Sequence, residues 1–433
     1  MNKKESKTIN LGYNWIPIIV LLLYLCVVFS SVSFVACSKS VDSDTYNKSN
    51  LSTSKNAYPD SFKPNDKKYS YVGIPRIVIE TENRTKIEDR VTEIPAKMQI
   101  WGEKETETEI LDLTIRGRGN STWWYPKKPY AIKLEKKYSL LGMPKAKKWV
   151  LLANYRDRTL MRNALAFEIA RQTDIGWTPQ GRFVEVFIND DFVGTYFLCE
   201  KIQVQENRLS FDDDSYLLEL DISYDADFKF KSLKRNLPIN VKNPKELSDL
   251  QFSYIKSYID TVETILYDST FDSLNLENYI DFKSFALYWI IYEIAKNGEP
   301  NHPKSVYMYK QNGGLLKMGP VWDFDFTTFS YSRELKNQKS LWYAALRKNP
   351  DFEKLVKILW NQHKDFFVGL TSFVDSLASY TKEANERNIS LWPISVGRYS
   401  SGDEELDYDS AIQMLKKNYM DRINVLDSLF MQI

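Results

Sequence analysis

The sequence predicts an α+β protein, rich in strands in its first half and helical in its second. Three observations carry this. Four runs between residues 72 and 135 are β-branched, aromatic or alternating: "RIVIET" (76–81), "AKMQIW" (96–101), "LDLTIRG" (111–117) and "YAIKLE" (130–135). Two further strands, 182–190 and 192–202, flank a turn at Asn189–Asp191 and read as a hairpin. After about residue 244 the apolar residues recur at helical spacing, with Ile255, Ile259, Val262 and Leu266 on one face and Ile412, Leu415, Tyr419, Ile423, Leu426 and Phe430 on another.

The remaining elements follow in order. Residues 158–171 carry apolar residues at helical spacing, and Asp157 is placed to cap them. Residues 277–296 read as a strongly apolar helix stopped near Asn297-Gly298. A short β pair, "SVYMYK" and "LLKMGPVWDFDF", follows around Asn312-Gly313-Gly314, and helices continue to the end.

Lys3, Lys4 and Lys7 precede an uncharged stretch from Trp15 to Ala36 and then Cys37, the pattern of a secretory signal. "SFVAC" (33–37) resembles the lipobox of bacterial lipoproteins, which makes Cys37 the lipidated residue; a retained membrane anchor is the other reading of the apolar run. Either way the remainder is expected outside the cytoplasm, tethered to a bacterial membrane at its periplasmic face or at the cell surface. Residues 38–70 are polar and read as a flexible tether, so the domain is expected over 71–433. A net charge of +1 gives no argument for nucleic acid as a partner. Of the 3 cysteines only Cys199 lies in the expected domain, so no internal disulfide forms; with only 2 histidines, a His-based triad or zinc site is not expected.

Three clusters could carry chemistry. Asp323 and Asp325 lie among Val321, Trp322, Phe324 and Phe326. If the segment is a strand, both carboxylates face one side and the aromatics the other. Two like charges that close call for a cation or a proton, and hard oxygen ligands suit Mg²⁺ or Mn²⁺. Upstream, "KNGEPNHPKSVYMYK" (296–310) offers Glu299 as a base or ligand, and Asn301 and Ser305 as oxygen donors; all three also suit a plain turn. Finally, "RGRGNSTWWYPKKP" (116–129) is a glycine-containing loop with Arg116, Arg118, Lys127 and Lys128 around it, a composition that suits phosphate, although it is neither a Walker A loop nor a G-x-G-x-x-G fingerprint. Lys133 beyond it needs an anion if it points inward and is a solvated face if outward.

Together these segments resemble the CotH kinase-like family, named for spore coat protein H. The resemblance rests on "IRGRGNSTWWYPKKPYAIKL" (115–134), "WVLLANYRDRTLMRNALAFEIAR" (149–171), "VGTYFLCEKI" (193–202) and "NGEPNHPKSVYMYKQNGGLLKMGPVWDFDF" (297–326). It implies an atypical protein-kinase-like, two-lobed fold, with a β-rich lobe over about 71–205 and a mainly helical lobe over about 206–433. It implies ATP with Mg²⁺ or Mn²⁺, and an exported or cell-envelope protein as substrate. By resemblance Arg116, Arg118, Lys133 and Glu200 are assigned to the nucleotide, Asp323 and Asp325 to metal, and Glu299 and Asp323 to catalysis. Element order suggests that Lys133 pairs with Glu168. Glu299 stands where active members commonly carry Asp. The alternative is therefore an inactive kinase-like surface module for binding or adhesion.

Overall fold

The computed structural model describes residues 57–59, 62–267, 273–394 and 401–432. The apolar leader, Cys37 and residues 38–56 of the expected tether lie outside the described residues, and among the described residues no helix is long and apolar enough to cross a membrane.

The first half closes on itself. Strands β1 (Arg76–Thr81), β2 (Ile94–Trp101), β3 (Leu111–Gly117), β4 (Tyr130–Tyr138), β5 (Ala146–Leu152), β6 (Gly181–Ile188) and β7 (Asp191–Glu200) form a barrel in the order β1-β2-β3-β4-β5-β7-β6. The closing contact is β1 against β6, the one parallel pair in the ring. Alternation does the sorting: in β3, Leu111, Leu113 and Ile115 turn inward, where they meet Ile77, Met98, Ile132 and Trp149. The β6–β7 hairpin turns at Asn189 and Asp190, both with positive φ, as its twist requires.

The polar stretch before Tyr71 is more ordered than its composition suggested. Phe62 is buried, its carbonyl accepts the Trp101 indole N–H at 2.6 Å, and the Tyr69 ring lies 4.5 Å from that of Phe192. The aromatics Tyr58, Phe62 and Tyr69 supply enough apolar surface to seat this segment on the barrel, so the expected tether ends before them.

Helix α1 (Arg162–Arg171) follows β5, and it begins later than expected. Asp157 caps it from a distance: its buried carboxylate accepts the N–H groups of Thr159 (2.9 Å) and Arg162 (2.8 Å) across a turn in which Leu160 has φ +61°. A second sheet comes next, built of three strands with no counterpart in the sequence reading and of the β pair expected around Asn312-Gly313-Gly314. It comprises β8 (Tyr216–Leu220), β9 (Lys229–Lys231) and β10 (Pro238–Asn243), joined by β11 (Val306–Lys310) and β12 (Leu316–Met318) in the order β12-β11-β8-β10-β9.

The rest is helical: α2 (Asp249–Leu266), α3 (Phe282–Ile294), α4 (Pro350–Gly369), α5 (Thr371–Leu391) and α6 (Tyr408–Met431). The expected stripes of α2 and α6 are buried. Ser248 and Gln251 form a capping box on α2, Asp281 caps α3 and Asp407 caps α6. Helix α3 is apolar all round because the second sheet and the other helices enclose it.

Candidate functional site

A cavity of about 650 Å³ lies among the loop after β3, the end of β5, β8, and the segments on either side of β11 and β12. Its lining includes Arg116, Arg118, Glu219, Glu299, Asp323 and Asp325.

Its roof is the β3–β4 loop. Gly119 has φ +85°, and a Cβ there would collide with Thr122 Oγ1. The Arg90 guanidinium donates to Gly119 O at 2.8 Å and to Asn120 Oδ1 at 3.1 Å, fixing the tip. Lys127 is fully buried. Its ammonium donates to the carbonyls of Ala153 (2.8 Å) and Thr195 and lies 4.5 Å from the Tyr196 ring centroid, so it anchors the loop to the barrel. Lys128 donates to Trp123 O at 2.8 Å. Arg116 Nη1 donates to the carbonyls of Arg90 and Gly117 (3.1 Å), so the basic loop spends three of its four cationic side chains on its own shape. Arg118 is left facing the acids: burial draws its pKa down, and Asp323, Tyr307 and Asp325 act against that.

The floor carries the two aspartates, and their segment is not a strand. Strand β12 ends at Met318, and Asp323 has φ +69°. Side-chain amides hold this irregular backbone. Asn163 Oδ1, from α1, accepts the Phe324 N–H at 2.9 Å, and Asn297 Nδ2 donates to Asp323 O at 2.8 Å. Asn297 Oδ1 also accepts the Glu299 N–H at 2.8 Å, so one buried amide ties the Glu299 turn to the aspartate segment. Trp322 and Phe324 are buried as expected, but Phe326 is exposed and lines the cavity, because the chain turns after Asp325.

The aspartates nevertheless come together: both line the cavity beside Ser305, and each carboxyl feels the other. Burial and the neighbouring Asp323 push Asp325 up to about 8, and Asp323 itself is raised, chiefly by burial. Glu299 is pushed up to about 8 by burial and by Asp323, with Lys304 opposing. Three carboxyls thus crowd one cavity with Arg118 and Lys304 opposing them, and the crowding favours their protonated forms until a cation arrives. Beside them, Glu219 accepts from Tyr307 Oη (2.6 Å) and from Lys242 Nζ (2.8 Å).

The donor set suits a hard divalent cation. Asp323, Asp325 and Ser305 bring oxygens to the same cavity, and among the described residues no group of three or more His, Cys, Asp and Glu side chains converges to hold a metal ion. Such a partial shell is how Mg²⁺ is usually held, with substrate oxygens and water completing it.

Other residues singled out from the sequence fall elsewhere. Lys133 points outward from β4, half exposed, 3.3 Å from Glu93 Oε2. Glu168 binds Arg171 and Gln172 on the surface of α1, so the Lys133–Glu168 pair does not form: strand alternation sends Lys133 to the face away from α1. Glu200 is buried at the end of β7, accepting the Gln180 N–H at 3.0 Å with Arg208 Nε 3.5 Å away, and it does not line the cavity. Asn301 donates to Lys336 O (3.2 Å) and Asn337 Oδ1 (3.0 Å), which makes it part of the turn. Asn163 had no sequence signal of its own and Asn297 read as a helix stop; the importance of both lies in which backbone groups they reach.

The family model described as CotH kinase protein matches residues 115–422, most of the chain, and the chain belongs to that family. Membership marks it as kinase-like. A search of curated proteins gave no match.

Proposed function

We propose that this protein is a metal-dependent phosphotransferase of the protein-kinase type, tethered to the membrane through Cys37 and acting outside the cytoplasm on hydroxyl groups of exported or cell-envelope proteins. The observation that supports it most is the convergence of Glu299, Asp323, Asp325 and Arg118 on one cavity of about 650 Å³, a size that suits a nucleotide. In this reading the barrel half is the N-terminal lobe and the helical half the C-terminal lobe of a kinase-like fold.

The roles follow from chemistry. Asp323, Asp325 and Ser305 would hold Mg²⁺ or Mn²⁺ with ATP, and the cation would supply charge neutralisation on the phosphates. Arg118, with Arg116 above it, faces the phosphate oxygens. Glu299 accepts the proton of the acceptor hydroxyl as the new phosphorus–oxygen bond forms and the bond to the nucleoside diphosphate breaks. Glu219 and Asp221 line the same cavity and favour a basic acceptor segment.

Thermal-shift titration of residues 57–433 with ATP and Mn²⁺ tests the reading. A rise in melting temperature that needs both metal and Asp323/Asp325 is expected. No rise under any condition would favour the alternative, a catalytically idle binding module on the same scaffold. For the anchor, Cys37→Ser is expected to release the protein from the membrane fraction of expressing cells.

A further inference from the structure

A second, smaller recess of about 70 Å³ opens beside the cavity and meets it at Arg116. It is lined by Arg116, Lys133, Lys148 and Lys201, with Glu93 as its one carboxylate and Trp149 as its apolar floor. Glu93 is committed, since it accepts from Lys133 Nζ (3.3 Å) and the Thr114 hydroxyl (3.0 Å). Lys148 and Lys201 have no hydrogen-bond or ion-pair partner for their ammonium groups among the described residues. An exposed strand lysine such as Lys148 is ordinarily a solvated face. Lys201 is different: it is partly buried, Lys148, Arg118, Arg116 and Lys245 bring positive charge to it, and the one carboxylate of the recess, Glu93, is already held by Lys133 and Thr114. Burial and those positive neighbours draw it down to about 8. Holding like charges together on a withdrawn surface opposes folding unless an anion occupies the space.

We propose that this recess is an oxyanion site that takes a phosphate group, with Lys148 and Lys201 as its donors and Arg116 and Lys133 as flanking charge. It is separate from the aspartate pair and does not need a metal ion. The phosphate belongs either to a nucleotide whose far end lies in the main cavity or to a second phosphorylated ligand.

The test is differential scanning fluorimetry with pyrophosphate in EDTA, at ionic strength matched with sodium chloride. Pyrophosphate is expected to raise the melting temperature of the wild type and of Asp323→Ala/Asp325→Ala alike. Lys201→Gln and Lys148→Gln are each expected to weaken pyrophosphate binding about tenfold. Without anion, Lys201→Gln is expected to melt no lower than wild type, because it relieves repulsion; Lys148→Gln, at an exposed position, keeps the test open if Lys201→Gln folds poorly. Metal-free ATP that competes with pyrophosphate identifies the nucleotide as the source, and additive stabilisation identifies a second ligand. No shift beyond that of chloride, or a shift unchanged in both lysine variants, overturns the site. Neither result bears on the metal-dependent ATP response, which tests the phosphotransferase reading separately.

Discussion

Asp325 is buried against Asp323, and the nearest countercharge is Arg118, so ionising this pair in the ligand-free protein works against folding. Asp325→Asn keeps the shape and removes one like charge. It is expected to stabilise the ligand-free protein by about 1–2 kcal/mol, a rise of roughly 2–4 °C, while abolishing metal-dependent stabilisation by ATP. Calorimetry with and without ATP and Mn²⁺ checks both, and a lower melting temperature would make Asp325 a structural residue. Asn163 acts through the backbone instead. Asn163→Ala leaves the buried Phe324 N–H without its acceptor, which costs about 1–3 kcal/mol, and frees the segment between the two aspartates. The expected outcome is a lower melting temperature together with weaker Mn²⁺·ATP binding; unchanged ligand affinity would remove Asn163 from the positioning of the site.

At the scale of elements, local pattern made much of the fold legible. The runs of β1 to β4, the β6–β7 hairpin and the stripes of α2 and α6 each follow a period that one buried face imposes. What was not legible depends on contacts distant in sequence. Strand β8 is buried along its whole length because both its faces are covered, Tyr216, Leu218 and Leu220 by the main core and Leu217 by Leu209 and Tyr309, so it lacks the alternation that would announce it. The aspartate segment looked like a strand, yet Asn163 and Asn297 hold it as an irregular turn from outside. The acids and Arg118 were recognisable as candidates, but Lys127 as an anchor and the outward face of Lys133 required the tertiary structure. The contact of α5 with β6 gives an element-scale prediction. Glu185 is buried, bound by Arg387 Nη1 at 2.9 Å, and pushed up to about 7 by burial, which outweighs Arg387 and Arg76. A carboxyl raised in the fold stabilises it while protonated and loses that contribution as pH climbs from the unfolded value of about 4.5 through 7. Glu185→Gln does not titrate, so its stability relative to wild type is expected to improve between pH 5 and pH 8 by up to about 3 kcal/mol. Urea unfolding at the two pH values reads this, and a constant difference would refute it.

For the molecule as a whole, the connections between barrel and helices decide how it unfolds. The end of α5 and Trp392 lie against strand β7 of the barrel. Thr195 of β7 donates its N–H to Asn388 Oδ1 (3.1 Å) and its hydroxyl to Ala384 O (2.9 Å), while the Trp392 indole donates to Val193 O (3.0 Å). Gly194 permits this approach: its φ is +106°, and an added Cβ would lie 2.5 Å from Asn388 Oδ1. Below, Arg162 joins Asp157 to Asp403 in a buried ion network and donates to Thr328 O at 3.1 Å, linking α1, the aspartate segment and the chain before α6. Removing one partner from such a network is expensive, about 3–5 kcal/mol, because the remaining charges stay buried. Neither half can therefore lose its structure without exposing groups the other half satisfies, and unfolding should be one cooperative event. Hydrogen exchange followed by mass spectrometry is expected to give the slowest amides of β3, β5 and β7 the same opening free energy as those of α3. Arg162→Met should lower both values together, by about 3 kcal/mol or more. A barrel that stays protected while α3 exchanges freely would show two independent units, and the contacts of Asn388 and Arg162 would then be adornments of a hinge rather than the bond that places the cavity's roof over its floor.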